Sequence, residues 1–354
     1  MKFKKIPQYI KNIISGETKI RLDIQHKSKE LAESIFDMSP SSKGKENSSP
    51  YSKLVAIDGI AGFAGSSAIT DFLAEFSECT VYGGVDMREN PDRGEENNYE
   101  VDFFRDAYGV LELEKICYFD NDRIINTAIK DFEHDAMYRY KTGMKFYGDF
   151  YLTETQNFIS EITDFYFKGN DDKTVYFAKK MSVKQYRAIA KKYLTSILKQ
   201  IPSEKFLVLD NLASIVVPDS KTLTDYFGSY KILASRRDPR DLYTAARHLP
   251  GNDWVPRKPE EFVKWYKWYA ERYLSVNNKD LLLIRFEDFV LNYDKVSKEI
   301  TKFIGLPLTK QIKKNAFFNP DISKNNIGIY KTYEDQNAIE YIAKNLKKYL
   351  YTKA

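Results

Sequence analysis

The sequence predicts an α/β protein with a mainly parallel central sheet and helices on both faces. Three observations predict it. An apolar run, LVAID at 54–58, leads into a glycine-containing segment and then into a helical pattern. Later runs, KFLVLD at 205–210, YKILAS at 230–235 and LLLIRF at 281–286, are nearly continuous in apolar residues, as parallel strands covered on both faces are. Between and after the last two runs the periodicity turns helical, the alternation expected of a layered α/β fold.

Taken in order, residues 1–50 read as a basic arm and linker, and 51–354 as the α/β domain. The arm carries Lys2, Lys4, Lys5 and Lys11, which suits a solvated basic segment or a peripheral contact with an anionic membrane surface. Residues 39–50, SPSSKGKENSSP, are polar and Pro-bounded, a linker composition. After the first strand, Ile69, Phe72, Leu73 and Phe76 fall on one helical face. CTVYGGV reads as a second strand, and the polar MRENPDRGEENN after it as a ligand-side loop.

The 100–200 region reads as a mostly helical insertion, its last helix striped by Val183, Tyr186, Ala190, Tyr193, Leu194 and Ile197. A helix over 259–274 puts Phe262, Trp265, Tyr266, Tyr269 and Tyr273 on one side, an aromatic stripe that reads as core. A further helix turns Val296, Ile300, Phe303 and Ile304 inward and stops at Gly305, with Pro307 beyond. The closing helix buries Ile339, Ile342, Leu346 and Leu350.

Composition narrows the function classes. The 354 residues carry 55 basic and 50 acidic side chains, a formal charge of +5, which favours small anionic ligands without demanding nucleic acid. Two cysteines, Cys79 and Cys117, make no disulfide framework and no zinc spacing, so neither a metal nor an oxidising compartment is expected. The N-terminal stretch lacks the apolar core of a signal peptide, and no run approaches the ~18 to 20 apolar residues of a membrane helix. A cytoplasmic setting fits these features.

Chemistry concentrates in two places. Gly59, Gly62, Gly65, Ser66 and Ser67 lie between a strand and a helix, where backbone N–H groups and a helix N-terminus suit a phosphate or sulfate; the same residues also suit a plain tight turn. The loop lacks the GK[ST] ending that holds a γ-phosphate, which argues against ATP hydrolysis. In KILASRRDPRDLYTAARH the strand gives way at Arg236 and Arg237 to Asp238, an N-cap residue, with Pro239 at the first helical position. Two arginines there form a candidate anion site, and Arg240, Thr244 and Arg247 share the following helix face, either extending the site or facing solvent.

SRRDPRDLYTAARH resembles the segment of sulfotransferases in which a strand ends in Arg-x-Pro-x-Asp. LLLIRFEDFVLNYDKVSKEITKFIGLPL is similar to that family's strand ending in Arg-Phe/Tyr-Glu-Asp, and SKNNIGIYK at 323–331 to its late nucleotide-binding loop. The resemblance covers the first strand-loop-helix and most of the chain after residue 200. It implies a P-loop sulfotransferase-like fold and the donor 3'-phosphoadenosine 5'-phosphosulfate (PAPS), with no metal. Gly62, Gly65, Ser66 and Ser67 would hold the 5'-phosphosulfate, Arg237 the 3'-phosphate, and Lys324, Gly328 and Lys331 would close over the nucleotide. Arg285, Glu287 and Asp288 match a motif read as structural. Two departures stand out: Phe63 and Ala64 occupy the place of the family's usual loop cation, and Ala245 the place of its usual serine, where Thr244 or Arg247 is the available substitute.

Sulfuryl transfer needs in-line attack, a base for the acceptor's proton and positive charge at the leaving oxygen. Arg88 and Glu89, after the second strand, resemble the Lys-Glu pair of carbohydrate sulfotransferases, implying Glu89 as base and Arg88 as the replacement cation; Asp86, His134 and His248 compete as bases. The acceptor implied is a hydroxyl or amine of a carbohydrate, a polysaccharide or glycolipid, with the insertion as one acceptor wall. Two rivals remain open: a P-loop kinase-like nucleotide transferase, for which Asp210 would supply only the metal carboxylate, and a noncatalytic nucleotide- or glycan-binding relative.

Overall fold

The computed structural model describes residues 53–82, 150–168, 174–200, 204–210, 230–248, 255–275 and 277–352, together with 110, 113–114, 129, 132, 136 and 225–226. Five parallel strands form the central sheet: β1 (Lys53–Gly59), β2 (Cys79–Tyr82), β5 (Phe206–Asp210), β6 (Tyr230–Arg236) and β7 (Leu281–Arg285), in the spatial order β2-β5-β1-β6-β7. β1 is central, and its apolar run is buried on both faces because helices cover both.

The two faces are distinct cores. Val55, Ile57, Val208 and Leu233 pack against α1 (Ser66–Ala74), α6 (Phe286–Leu291) and α7 (Tyr293–Ile304). Leu54, Ala56, Leu207, Leu209, Ile232 and Ala234 face the other way, into a larger cluster with α2 (Phe150–Ile162), α3 (Val183–Gln200), α4 (Pro239–Arg247), α5 (Pro259–Leu274) and α8 (Gln336–Asn345). The expected layered α/β arrangement is therefore what the chain adopts.

Most expected boundaries hold for local reasons. α1 ends two residues before Phe76, which stays buried and bridges to Gln311. Gly305, at φ 76, closes α7 in the left-handed region that glycine tolerates best. α5 spans the expected helix and buries Phe262, Tyr266 and Tyr273, with Trp265 and Tyr269 packed against the core from its edge.

Three local expectations need correction. The 100–200 region is not uniformly helical: β3 (Thr163–Lys168) and β4 (Thr174–Ala178) pair as an antiparallel hairpin, because TDFYFK and TVYFA are rich in β-branched and aromatic residues and flank a Gly-Asn-Asp-Asp segment. Val183 is exposed, since it begins α3 before the buried stripe is under cover. β7 is half-buried rather than enclosed, because it is an edge strand paired only with β6. Among the described residues, no helix is long and apolar enough to cross a membrane.

Candidate anion-binding site

The carboxyl ends of β1 and β6 lie side by side, with Gly59 opposite Ser235 in the parallel register. That placement brings the glycine loop against the two arginines. Ile60 N–H donates to the Ser235 carbonyl at 2.8 Å, and Ser235 Oγ donates to the Ala64 carbonyl at 2.9 Å. The loop is tethered to β6 at both ends of its curve.

Its backbone is strained. Ala61, Gly62, Phe63 and Gly65 all have positive φ, of 67°, 65°, 45° and 90°, and two of them are not glycine. Left-handed residues cost free energy unless the surroundings over-determine them, and such curled backbone presents its N–H groups to an anion. Gly65 is the N-cap of α1, and no side chain caps that helix. Neither Ser66 nor Ser67 uses its hydroxyl in a hydrogen bond among the described residues; the Ser66 carbonyl accepts from Thr70 Oγ1 at 3.1 Å. Gly65 must be glycine on a second count: a Cβ there would stand 2.4 Å from Phe286 Cδ2.

Arg237 reaches the same place from β6. It is only 7% exposed, and its guanidinium lies over the Phe286 ring at 5.2 Å. Nη1 donates to the Phe63 carbonyl at 3.4 Å and Nη2 to the Asn326 carbonyl, while the buried Nε has no partner. Burial lowers its pKa from the guanidinium's ordinary value, an effect that Asp241, Glu287 and Asp238 offset only in part. Its hydrogen bonds go to carbonyls, and the carboxylates of Asp241, Glu287 and Asp238 act on it through space without a direct ion pair, whereas buried cations are normally paired directly.

The late loop closes the third side. Asp241, in the first turn of α4, accepts from Gly328 N–H at 2.8 Å and Tyr330 N–H at 3.1 Å, and Arg240 stacks its guanidinium 3.9 Å from the centre of the Tyr330 ring. Gly328 takes φ 79 to make that turn. Asp238 caps α4 as expected, accepting from Arg240 N–H at 2.9 Å, with Pro239 first in the helix. Lys324 and Lys331 are exposed at the rim of this loop, Lys324 paired with Asp321 at 2.6 Å.

The structure thus assembles Gly62, Gly65, Ser66, Ser67, Arg237 and the 324–331 loop, which are scattered in sequence. It turns other candidates elsewhere. Thr244 is fully buried and donates to the Arg240 carbonyl at 2.9 Å, inside its own helix. Arg247 donates through Nη2 to the Val255 and Pro256 carbonyls at 3.2 and 2.6 Å and stacks on Tyr243, so it braces the 255–257 segment. Arg236 pairs in register with Arg285, on the face of β6 opposite its neighbour. His248 is exposed at the end of α4. Arg88, Glu89, Asp86 and His134 lie outside the described residues, as do residues 1–50.

Four contributors were not legible as site residues: Phe286, Asp241, Tyr266 and Asn326. Phe286 and Asp241 sat inside quoted motifs, yet only the fold shows one wedged between Gly65 and Arg237 and the other holding the late loop. Asp58, just before the glycine loop, is also notable. It is 1% exposed, accepts from Gly59 N–H at 2.7 Å and from the Tyr273 hydroxyl, and burial pushes its pKa well above the usual carboxylate range.

Fold and site together define a parallel α/β protein in which a glycine loop, a buried arginine and a late loop meet at the carboxyl ends of the central strands, a candidate anion site. No protein-family model matches the chain, and no curated protein matches it. Among solved structures it is similar to the sulfotransferase domain from the Synechococcus PCC 7002 olefin synthase, at 13% identity and TM-score 0.37, covering 85% of this chain and 96% of that one. It is also similar to the sulfotransferase STF9 from Mycobacterium avium, at 10% identity and TM-score 0.37 over 91% and 82% of the two chains. A third is the sulfotransferase domain from the curacin biosynthetic pathway, at 12% identity and TM-score 0.36 over 85% and 99%.

Proposed function

We propose that this chain is a sulfotransferase that moves a sulfuryl group from PAPS to a hydroxyl or amine of an acceptor, a carbohydrate by the character of its Arg88-Glu89 pair. One observation carries the reading. The strained loop at 61–65 and the buried, carbonyl-only guanidinium of Arg237 meet at one cleft, where a ligand bearing two anionic ends satisfies both. The orphaned Arg237 Nε and the unused Ser66 and Ser67 hydroxyls fit such a donor. Gly62, Gly65, Ser66 and Ser67 would receive the phosphosulfate end, Arg237 the 3'-phosphate, and Lys324, Gly328 and Lys331 the nucleotide between.

The donor supplies the activated sulfuryl group. The chain's own part is to hold both anionic ends, to keep water from the cleft through the late loop, and to take the acceptor's proton at the Glu89 carboxylate. Adenosine 3',5'-bisphosphate raises the melting temperature of the protein if the reading holds, because a ligand that binds only the folded state stabilises it. ATP with magnesium gives no comparable rise. Incubation with labelled PAPS and a panel of sugar acceptors then transfers label, and Glu89→Gln abolishes transfer while leaving the bisphosphate shift intact. Absence of any bisphosphate shift sinks the proposal.

Phe63 favours one rival. It stands where a loop cation is usual in the resembling family, and its ring packs partly buried against the larger core. A protein that binds the bisphosphate but sulfates nothing, with Glu89→Gln indistinguishable from wild type, is a noncatalytic relative.

A further inference from the structure

A single peptide unit, the one joining Arg237 to Asp238, is held from both sides by buried side chains. Its carbonyl accepts from the Tyr266 hydroxyl at 3.2 Å, and its N–H donates to Glu287 Oε1 at 2.6 Å. The two groups come from separate elements, Tyr266 from α5 and Glu287 from the first turn of α6. Neither is needed by the secondary structure on which the peptide sits, since it falls in the gap between β6 and α4.

A peptide is planar, so fixing its carbonyl and its N–H fixes the plane from which the Arg237 Cα departs. Only the ψ of Arg237 then relates that plane to the Cα–Cβ bond, so the clamp restricts the direction in which the Arg237 side chain leaves the chain. Tyr266 is 2% exposed and Glu287 0%, so water does not compete for either hydrogen bond. The Tyr266 ring is fixed in turn by Phe262 at 6.0 Å and Tyr349 at 5.4 Å. α6 makes a double contribution, because Phe286, beside Glu287, is the surface on which the Arg237 guanidinium rests.

We propose that Tyr266 and Glu287 are positioning residues that aim Arg237 at the 3'-phosphate and so set the protein's preference for a 3'-phosphorylated nucleotide. The inference rests on the nucleotide reading above. A clamp that served stability alone would weaken binding of all nucleotides together or of none. A clamp that aims Arg237 selectively weakens the ligand whose 3'-phosphate that arginine meets.

The test is calorimetric titration of wild type and Tyr266→Phe with adenosine 3',5'-bisphosphate and, separately, adenosine 5'-phosphate. Phenylalanine keeps the ring and its packing and removes only the donor. Wild type prefers the bisphosphate, and Tyr266→Phe reduces that preference about 3- to 10-fold, the worth of one hydrogen bond, with 5'-phosphate affinity unchanged. Glu287→Gln shifts the ratio in the same direction and speeds hydrogen exchange at the Asp238 amide; should it not fold, Tyr266→Phe decides alone. A Tyr266→Phe protein with the wild-type ratio, or with both affinities reduced equally, overturns the clamp and leaves the nucleotide reading standing. A wild-type protein that binds neither nucleotide overturns the nucleotide reading itself, and the clamp's stated role with it.

Discussion

Ser235 Oγ donates to the carbonyl of Ala64 at 2.9 Å across 171 residues of sequence. The bond ties the end of β6 to the turn that begins α1, so the loop N–H groups and the Arg237 guanidinium two residues on are parts of one rigid corner.

Arg237→Met tests the cation in that corner. The change removes two hydrogen bonds to carbonyls and also an expensive buried charge, so the ligand-free melting temperature moves by only a few degrees, while affinity for adenosine 3',5'-bisphosphate falls by about 2–4 kcal/mol. Differential scanning fluorimetry with and without the nucleotide reads both effects. A variant that keeps the nucleotide shift removes Arg237 from the site.

Gly65→Ala tests the shape of the loop. The added methyl meets Phe286 and must sit at φ 90, so unfolding free energy drops by roughly 2–4 kcal/mol in a denaturant titration. In a Phe286→Ala background, which removes the Cγ and Cδ2 that the methyl meets, part of that loss is recovered, because the clash is relieved and the backbone strain is not. Full recovery would mean that the left-handed conformation costs nothing here.

Asp241→Asn tests the late loop. Asp241 offers an oxygen to each of two backbone N–H groups, and asparagine has one oxygen and turns an NH₂ on the other. Amide exchange at Gly328 and Tyr330 accelerates, and bisphosphate affinity falls about tenfold, as for one stranded donor. Unchanged exchange at both amides counts against Asp241 as the anchor.

Asp58 predicts a pH dependence with a definite sign. Burial raises its folded-state pKa well above the unfolded 3.8, so the folded protein binds more protons than the unfolded chain from pH 3.8 upward. Stability contributed by the protonated acid is therefore lost as pH rises through the folded pKa. Asp58→Asn, neutral at every pH, is more stable than wild type at neutral pH, and the gap closes as pH falls toward 3.8. Melting temperatures across pH read this directly; a gap constant with pH excludes Asp58 as the titrating group.

Much of the architecture was legible because it is written in local patterns. The runs at 54–58, 205–210 and 230–235 are nearly continuous in apolar residues and became strands buried on both faces, and Asp238-Pro239 marked a helix start that the backbone honours. The hairpin β3–β4 was less visible, since short aromatic runs suit helix and strand alike until a partner strand is present. Thr244 and Arg247 read as a polar helix face, yet a helix face says nothing of what lies opposite, and here backbone carbonyls take both.

By itself the sequence determined the strands of the central sheet, the caps, the strand-loop-helix at 53–74 and the candidacy of Arg237, because each depends on neighbours a few residues away. Only the tertiary structure decided that Gly59 stands beside Ser235, that Phe286 fills the space between Gly65 and Arg237, and that Asp241 holds Gly328 and Tyr330. The reason is the parallel crossover. Three of the four neighbouring strand pairs in the sheet, all but β6 with β7, are separated by more than 100 residues of chain, so which carboxyl ends meet is set by sheet order and packing, on which local periodicity is silent.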